Sequence, residues 1–267
     1  MEAPAPELIR RLCCYSRAMA LAEEPRVDVL RQARIDLAAA LRAAALYGFN
    51  EGIDNHFSYA VPGSDDLFLL NPYGPDWSEL RASDLIAVDG EGNVVDGEGE
   101  WEITAFMIHR GVHRARPTAR CVFHTHMPYA TAVSATEGGF LPALSQAAMG
   151  FHGRVETCPY GGLAHAADEG ERMGAAVGDS TSVVMLENHG VIVIGRDPAE
   201  AWSRLYFLER ACQVQILAGS TGRPLIAVPD DIVRHTAELT QRDEAGAGKL
   251  FEAVKRRLDR ESPGYAV

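Results

Sequence analysis

Apolar residues recur at helical spacing over residues 27–47, where Leu30, Ala33, Leu37, Leu41 and Ala44 share one face and charged side chains fill the others. The pattern predicts a helix that ends near Tyr47-Gly48, where glycine suits the cap. A second helix is predicted over 103–115, with Phe106, Ile108 or His109, and Val112 or His113 inward, and Arg116-Pro117 as its stop. A third runs over 199–218 behind Asp197-Pro198. Shorter helical stretches are expected at 77–85, 128–134 and 168–177. Alternation takes over elsewhere. Phe57, Tyr59 and Val61 read as a strand, and Leu67 to Leu70 return as its hairpin partner across a Pro-Gly-Ser-Asp-Asp turn. Residues 85–88 and 93–95 flank Asp89-Gly90-Glu91-Gly92 as a second hairpin. Residues 182–186 and 191–194 form a third, and residues 119–126 and 155–158 are further strands. Mixed strands and helices with many hairpins imply one α/β or α+β layered domain, its central sheet largely antiparallel with helices on its faces. Three segments follow: an arm or short helix over 1–26, the domain over 27–220, and a helical extension over 221–267.

The chain has 267 residues and a formal net charge of -12. No basic stripe is visible, which argues against nucleic acid as a partner. No apolar stretch approaches a membrane span, and the N-terminal residues lack a signal-peptide pattern. The five cysteines (13, 14, 121, 158 and 212) contain no CxxC pair and read as reduced thiols of a cytoplasmic protein.

The candidate chemistry sits on histidines. His124 and His126 lie two apart at the end of an apolar strand and so face the same way, at a spacing that suits one metal ion. The same residues also fit a strand end with two solvated histidines. His189 ends a second apolar run, and three imidazoles brought to one point would leave coordination positions open, the pattern of a catalytic metal. His56, beside Asn55, is either an acid/base near neutral pH or a loop histidine bonded to backbone. His109 and His113, one helical turn apart, also suit a metal, or else stand behind the metal ligands or at an interface. Arg154 suits a substrate carboxylate or an ordinary surface loop. Tyr73 and Trp77 suit either a pocket wall or plain packing.

The order of these features resembles the class II aldolase and adducin head-domain family. The anchors are Gly48-Phe49-Asn50-Glu51-Gly52 leading to His56-Phe57-Ser58, then Leu70-Asn71-Pro72-Tyr73-Gly74, Ser83-Asp84-Leu85-Ile86, His124-Thr125-His126 and Glu187-Asn188-His189-Gly190. The resemblance covers roughly residues 27–218. It implies a three-layer α/β/α fold with a central antiparallel sheet, a homotetramer with active sites between subunits, and a divalent metal, typically zinc, on His124, His126 and His189.

The chain departs from the sugar-phosphate aldolases of that family. Their metal-binding and acid/base Glu is matched here by Ala105. Glu102, a turn earlier, either reaches in as a substitute or caps the helix. Their phosphate-binding pairs are matched by Asn55-His56, Tyr73-Gly74 and Ile103-Thr104, bulkier groups that make phosphorylated sugars poor substrates. A Tyr supplied by the neighbouring subunit is matched by Gln146.

The resemblance therefore implies a metal-dependent lyase on an unphosphorylated hydroxy-carbonyl or keto-acid small molecule. Aldol cleavage or decarboxylation would pass through a metal-stabilised enediolate. His56 or Glu102 would move the proton, and Asn55, Tyr73, Gly74, Gln146 and Arg154 would bind substrate. The alternatives are a three-histidine non-haem iron (Fe2+) oxygenase on an aromatic keto or hydroxy acid, and a non-catalytic adducin-like assembly module.

Overall fold

The computed structural model describes residues 28–64, 66–162 and 167–267, so the N-terminal arm expected over 1–26 lies outside the described residues. Helix α1 spans residues 28–47, and its Leu37, Leu41 and Ala44 are wholly buried. Strands β1 (His56–Ala60) and β2 (Leu67–Leu70) form the first hairpin, and β3 (Ile86–Asp89) and β4 (Val94–Asp96) the second. Then come α2 (Ile103–Ala115), β5 (Cys121–Thr125), α3 (Pro128–Ser134), the single turn α4 (Gln146–Met149), β6 (Val155–Cys158) and α5 (Ala167–Ala175). Strands β7 (Val183–Leu186) and β8 (Gly190–Gly195) precede α6 (Pro198–Gly219), α7 (Asp230–Gln241) and α8 (Glu244–Glu261). The helical stretch expected over 77–85 shrinks to a 3-10 turn at Ala82–Asp84. There Trp77 and Leu80 turn wholly into the core, and the apolar residues that suggested a helix pack singly from a loop.

The eight strands form one sheet in the order β4-β3-β2-β1-β5-β8-β7-β6, antiparallel except for the β6–β7 pair. Period-2 alternation splits its side chains between two cores. Phe57, Cys121, Phe123, Val183, Met185, Val191 and Val193 face one cluster, shared with α1, α3, α6 and α8. Val122, Val184, Leu186, Ile192 and Ile194 face the other, shared with α2 and α5. This is the expected three-layer α/β/α arrangement. Phe57 and Phe123, paired across β1 and β5, stack with ring centroids 3.9 Å apart and fix the register at the centre of the sheet.

The last helix belongs to the same core. Phe251, Val254 and Leu258 of α8 join the first cluster. The buried Arg42 of α1 donates to the Leu80 carbonyl at 2.6 Å and to Ser262 Oγ at 3.0 Å, tying three distant segments together. No helix among the described residues is long and apolar enough to cross a membrane.

Candidate metal centre

The β1–β5 register sets His56 opposite His124, both buried and on the sheet face that α2 covers. His126 follows one step past the end of β5. The third histidine arrives by a tight turn between β7 and β8. Asn188 adopts a left-handed conformation (φ 54°), open to Asn more readily than to most side chains, which swings His189 back over β5. A Cβ at Gly190 would lie 2.5 Å from the Thr125 carbonyl oxygen and 2.8 Å from His126 Cδ2. Only glycine lets β8 come this close, which gives the His-Gly pair its physical reason.

One nitrogen of each of His124, His126 and His189 lies within 4.8 Å of the others. His124 Nε2 and His126 Nε2 are 3.2 Å apart. His124 Nδ1 donates to the Val191 carbonyl at 3.0 Å. A carbonyl can only accept, so the neutral ring keeps Nε2 bare and turned toward its neighbours. Burial, with the neighbouring His56 and His189 next, holds the His124 pKa well below the ordinary histidine value, and burial also lowers that of His126. Neutral, convergent imidazoles are the donor set a divalent ion requires, and the residues fit one. His126 and His189 are half-buried, leaving the outer side open.

Asn55 supports this point. Its Oδ1 accepts from the Glu51 N–H at 2.7 Å and from the His126 N–H at 3.3 Å. Its Nδ2 is buried with no hydrogen-bond partner among the described residues. The Glu51 carboxylate stands 3.9 Å from His126 Nδ1.

Behind the triad runs a chain of buried polar groups between the sheet and α2. His56 Nδ1 lies 2.8 Å from His109 Nε2. His109 Nδ1 meets Ser58 Oγ, and Ser58 Oγ lies 2.7 Å from His113 Nε2. The far end is anchored by His113 Nδ1, 2.8 Å from the Ala119 carbonyl oxygen. Burial pushes the pKa of His113 down to about 4, and those of His56 and His109 well below the ordinary value, so all three rings are neutral at pH 7. The Ala119 carbonyl then dictates every proton. His113 Nδ1 carries its hydrogen, so its Nε2 is bare and accepts from Ser58. Ser58 has one hydrogen and must itself accept from His109 Nδ1. His109 Nε2 is then bare and accepts from His56 Nδ1. His56 is left with Nε2 unprotonated, its ring centroid 4.8 Å from that of His124.

The remaining expected residues are placed as follows. Glu102 caps α2: its carboxylate accepts from the Ala105 N–H at 2.9 Å and from the Thr104 hydroxyl. Of the two readings of Glu102, the geometry supports the cap. Tyr73 is exposed, and Gly74 turns the chain at φ 113°. Gln146 and Arg154 line a cavity of about 820 Å³ against α6 and α7 to which none of the site histidines contributes. Within one chain they are not brought to the triad. Sequence reasoning missed Ser58 and Tyr160. Ser58 carried a signal, two residues from His56 and hence on the same strand face as it. Tyr160, with its ring centroid 6.3 Å from that of His189, carried none.

A central antiparallel sheet that ends in three convergent histidines is the architecture of the class II aldolases. The profile of the Class II Aldolase and Adducin N-terminal domain matches residues 35–216, and the chain belongs to this family. It is 40% identical over 240 residues to a Caulobacter vibrioides protein whose name goes no further than aldolase class 2, covering 88% of this chain and 92% of that one. It is 34% identical over 203 residues to decarboxylase NovR of Streptomyces niveus, covering 74% of each. It is also 34% identical over 205 residues to the 4-hydroxy-3-prenylphenylpyruvate oxygenase/4-hydroxy-3-prenylbenzoate synthase of Streptomyces roseochromogenus, covering 75% of this chain and 73% of that one. Among solved structures, an aldolase II superfamily protein from Pseudomonas syringae superimposes with a TM-score of 0.84 at 36% identity, over 90% of this chain and 96% of that one. The L-fuculose 1-phosphate aldolase of Glaciozyma antarctica gives 0.76 at 27% identity, over 87% and 92%.

Proposed function

We propose that the chain is a divalent-metal-dependent lyase that acts on an unphosphorylated hydroxy-carbonyl or keto-acid substrate by aldol cleavage or decarboxylation. The observation that carries this reading is the convergence of three imidazoles beside His56, a fourth whose Nε2 is kept bare. A divalent ion, zinc in this reading, held by His124, His126 and His189 would supply Lewis-acid polarisation of a substrate oxygen. His56 accepts the migrating proton at Nε2, and His109, Ser58 and His113 hold its ring in the accepting tautomer. Asn55 offers Nδ2 to the substrate while its Oδ1 steadies the His126 backbone. Tyr73 and Gly74 border the substrate. Gln146 and Arg154 reach the site of a neighbouring subunit in a homotetramer, with Arg154 pairing a substrate carboxylate. Glu102, committed to its helix, has no part in the chemistry. The similarity to a protein named as a decarboxylase supports this class of reaction. The cytoplasm, with reduced Cys121, Cys158 and Cys212, is the proposed location.

A second reading is a three-histidine iron oxygenase on an aromatic keto or hydroxy acid. The similarity to a protein named as an oxygenase favours it. So does Ala105, a buried methyl where sugar-phosphate aldolases carry their Glu.

Elemental analysis of protein purified without oxygen separates the two. Zinc near one per chain, with turnover of an unphosphorylated hydroxy-ketone or keto acid, is the expected result. Iron near one per chain, with oxygen uptake on aromatic acids, moves the second reading to first place. A folded chain that holds neither ion overturns both.

A further inference from the structure

Between α2 and the β1–β2 hairpin, away from the triad, lies a cavity of about 280 Å³ with Arg110, Arg114, Arg120, His113 and Asp66 among its lining residues. Its charge runs against that of the chain. The whole sequence carries a net charge of -12, whereas the described lining residues, three arginines against one aspartate, carry +2 with His113 neutral. Acidic groups outnumber basic ones by 37 to 25, so pairing these arginines with a carboxylate would be easy. Yet none of the three makes an ion pair among the described residues. Arg110 rests over the Phe106 ring at 5.6 Å, and its Nε is buried without a hydrogen-bond partner. Arg120 uses one terminal nitrogen on the Ala60 carbonyl at 2.9 Å. Arg114 is exposed. Asp66, the one acid among the described lining residues, makes no ion pair with them: its carboxylate packs on the backbone of Gly90, where a Cβ would collide with it.

We propose that this cavity is an anion site that takes the carboxylate or phosphate group of a small molecule. Planar guanidiniums bind either oxyanion through paired N–H donors, and a buried, unpartnered Nε–H is a donor in need of an acceptor. The volume is small for a ligand pocket, which limits the occupant to an oxyanion on a short organic body. The site shares no residue with the triad, so anion binding there does not depend on a metal at His124, His126 and His189. It does share His113 with the relay behind His56, so an occupant is registered there.

The test is an NMR titration of the full-length chain, following Arg Nε–H and His ring 15N signals, with inorganic phosphate, acetate and chloride at matched ionic strength. Saturable shifts of Arg110 and His113 by phosphate or acetate, absent with chloride, are expected. Which of the two saturates at lower concentration tells a phosphate site from a carboxylate site. Arg110→Gln and Arg114→Gln each weaken binding by about tenfold, while Arg242→Gln, exposed at the end of α7, leaves it unchanged. Arg114, exposed and without an ion pair among the described residues, keeps the test valid if Arg110→Gln fails to fold. Shifts that follow ionic strength alone, or saturable binding that survives both substitutions, overturn the proposal.

Discussion

His113 Nδ1 lies 2.8 Å from the carbonyl oxygen of Ala119, and that contact orders the protons of three histidines. The expected consequence is measurable. In 15N spectra of the histidine-labelled protein near pH 7, His56, His109 and His113 all carry their hydrogen on Nδ1, the less common tautomer of a free neutral imidazole. An Nε2–H tautomer at any of the three breaks the deduced order and removes the reason for assigning His56 as a proton acceptor.

Ser58 is the weak point of the chain, because one hydroxyl serves two rings. Ser58→Ala leaves His109 Nδ1–H without an acceptor and His113 Nε2 without a donor, both buried. An unsatisfied buried polar group costs roughly 1–3 kcal/mol, so for the two a loss of about 2–6 kcal/mol is expected in denaturant unfolding. Ser58→Thr keeps the hydroxyl and should keep most of the stability. Equal losses in the two variants would mean that packing, not the hydrogen bonds, is at stake.

The depressed histidines set a pH dependence. His113 titrates at about 4 when folded and near 6.5 when unfolded, so between these values the unfolded chain binds more protons. The stability from His113 is complete above pH 6.5 and is lost as the pH falls toward 4, by at most about 1.4 kcal/mol per pH unit. His109, also lowered by burial, acts in the same direction. Carboxylates also titrate here, so the informative quantity is the difference between wild type and His113→Asn. The variant is less stable at pH 7, and its curve is shallower below pH 6.5. Parallel curves would place the His113 pKa near its ordinary value.

The extent to which all this was legible in the sequence follows from the range of the interactions. The strands and hairpins were readable because alternation and turn residues are local, and the His124–His126 pair because strand geometry puts positions two apart on one face. Trp77 misled, since an apolar residue in a buried loop looks like one on a helix. The relay was out of reach for a different reason. His56 and Ser58 lie on β1 and His109 and His113 on α2, and only tertiary packing turns two sequence pairs into one chain. His189 was visible as the end of a second apolar run, but its place beside His124 and His126 depends on the left-handed Asn188 and the close approach at Gly190.

Asn55 links the metal point to the loop before β1 through one side-chain oxygen. Asn55→Ala removes the acceptor that holds the His126 N–H, and a weakening of metal affinity by about 10–100-fold is expected, as for other groups that orient ligands. Asn55→Asp retains the acceptor and should bind metal more tightly than the alanine variant. Competition with a chelator of known affinity measures both. Unchanged affinity in Asn55→Ala would show that β5 alone places His126.

Glu102 offers a clean separation of fold from chemistry. Its carboxylate satisfies the Ala105 N–H at the start of α2, a helix that carries His109 and His113. Glu102→Ala should therefore cost about 1 kcal/mol, the usual price of a lost helix cap, with metal content unchanged. Glu102→Ser supplies another good capping group but no carboxylate, and should recover most of that stability. If the carboxylate only caps, the serine variant keeps full turnover once a substrate is in hand. If it moves a proton, the serine variant is as stable as wild type yet loses turnover by orders of magnitude, since a positioned acid or base contributes about 10²–10⁴-fold. That second outcome would return Glu102 to the site and take from His56 the role assigned to it here.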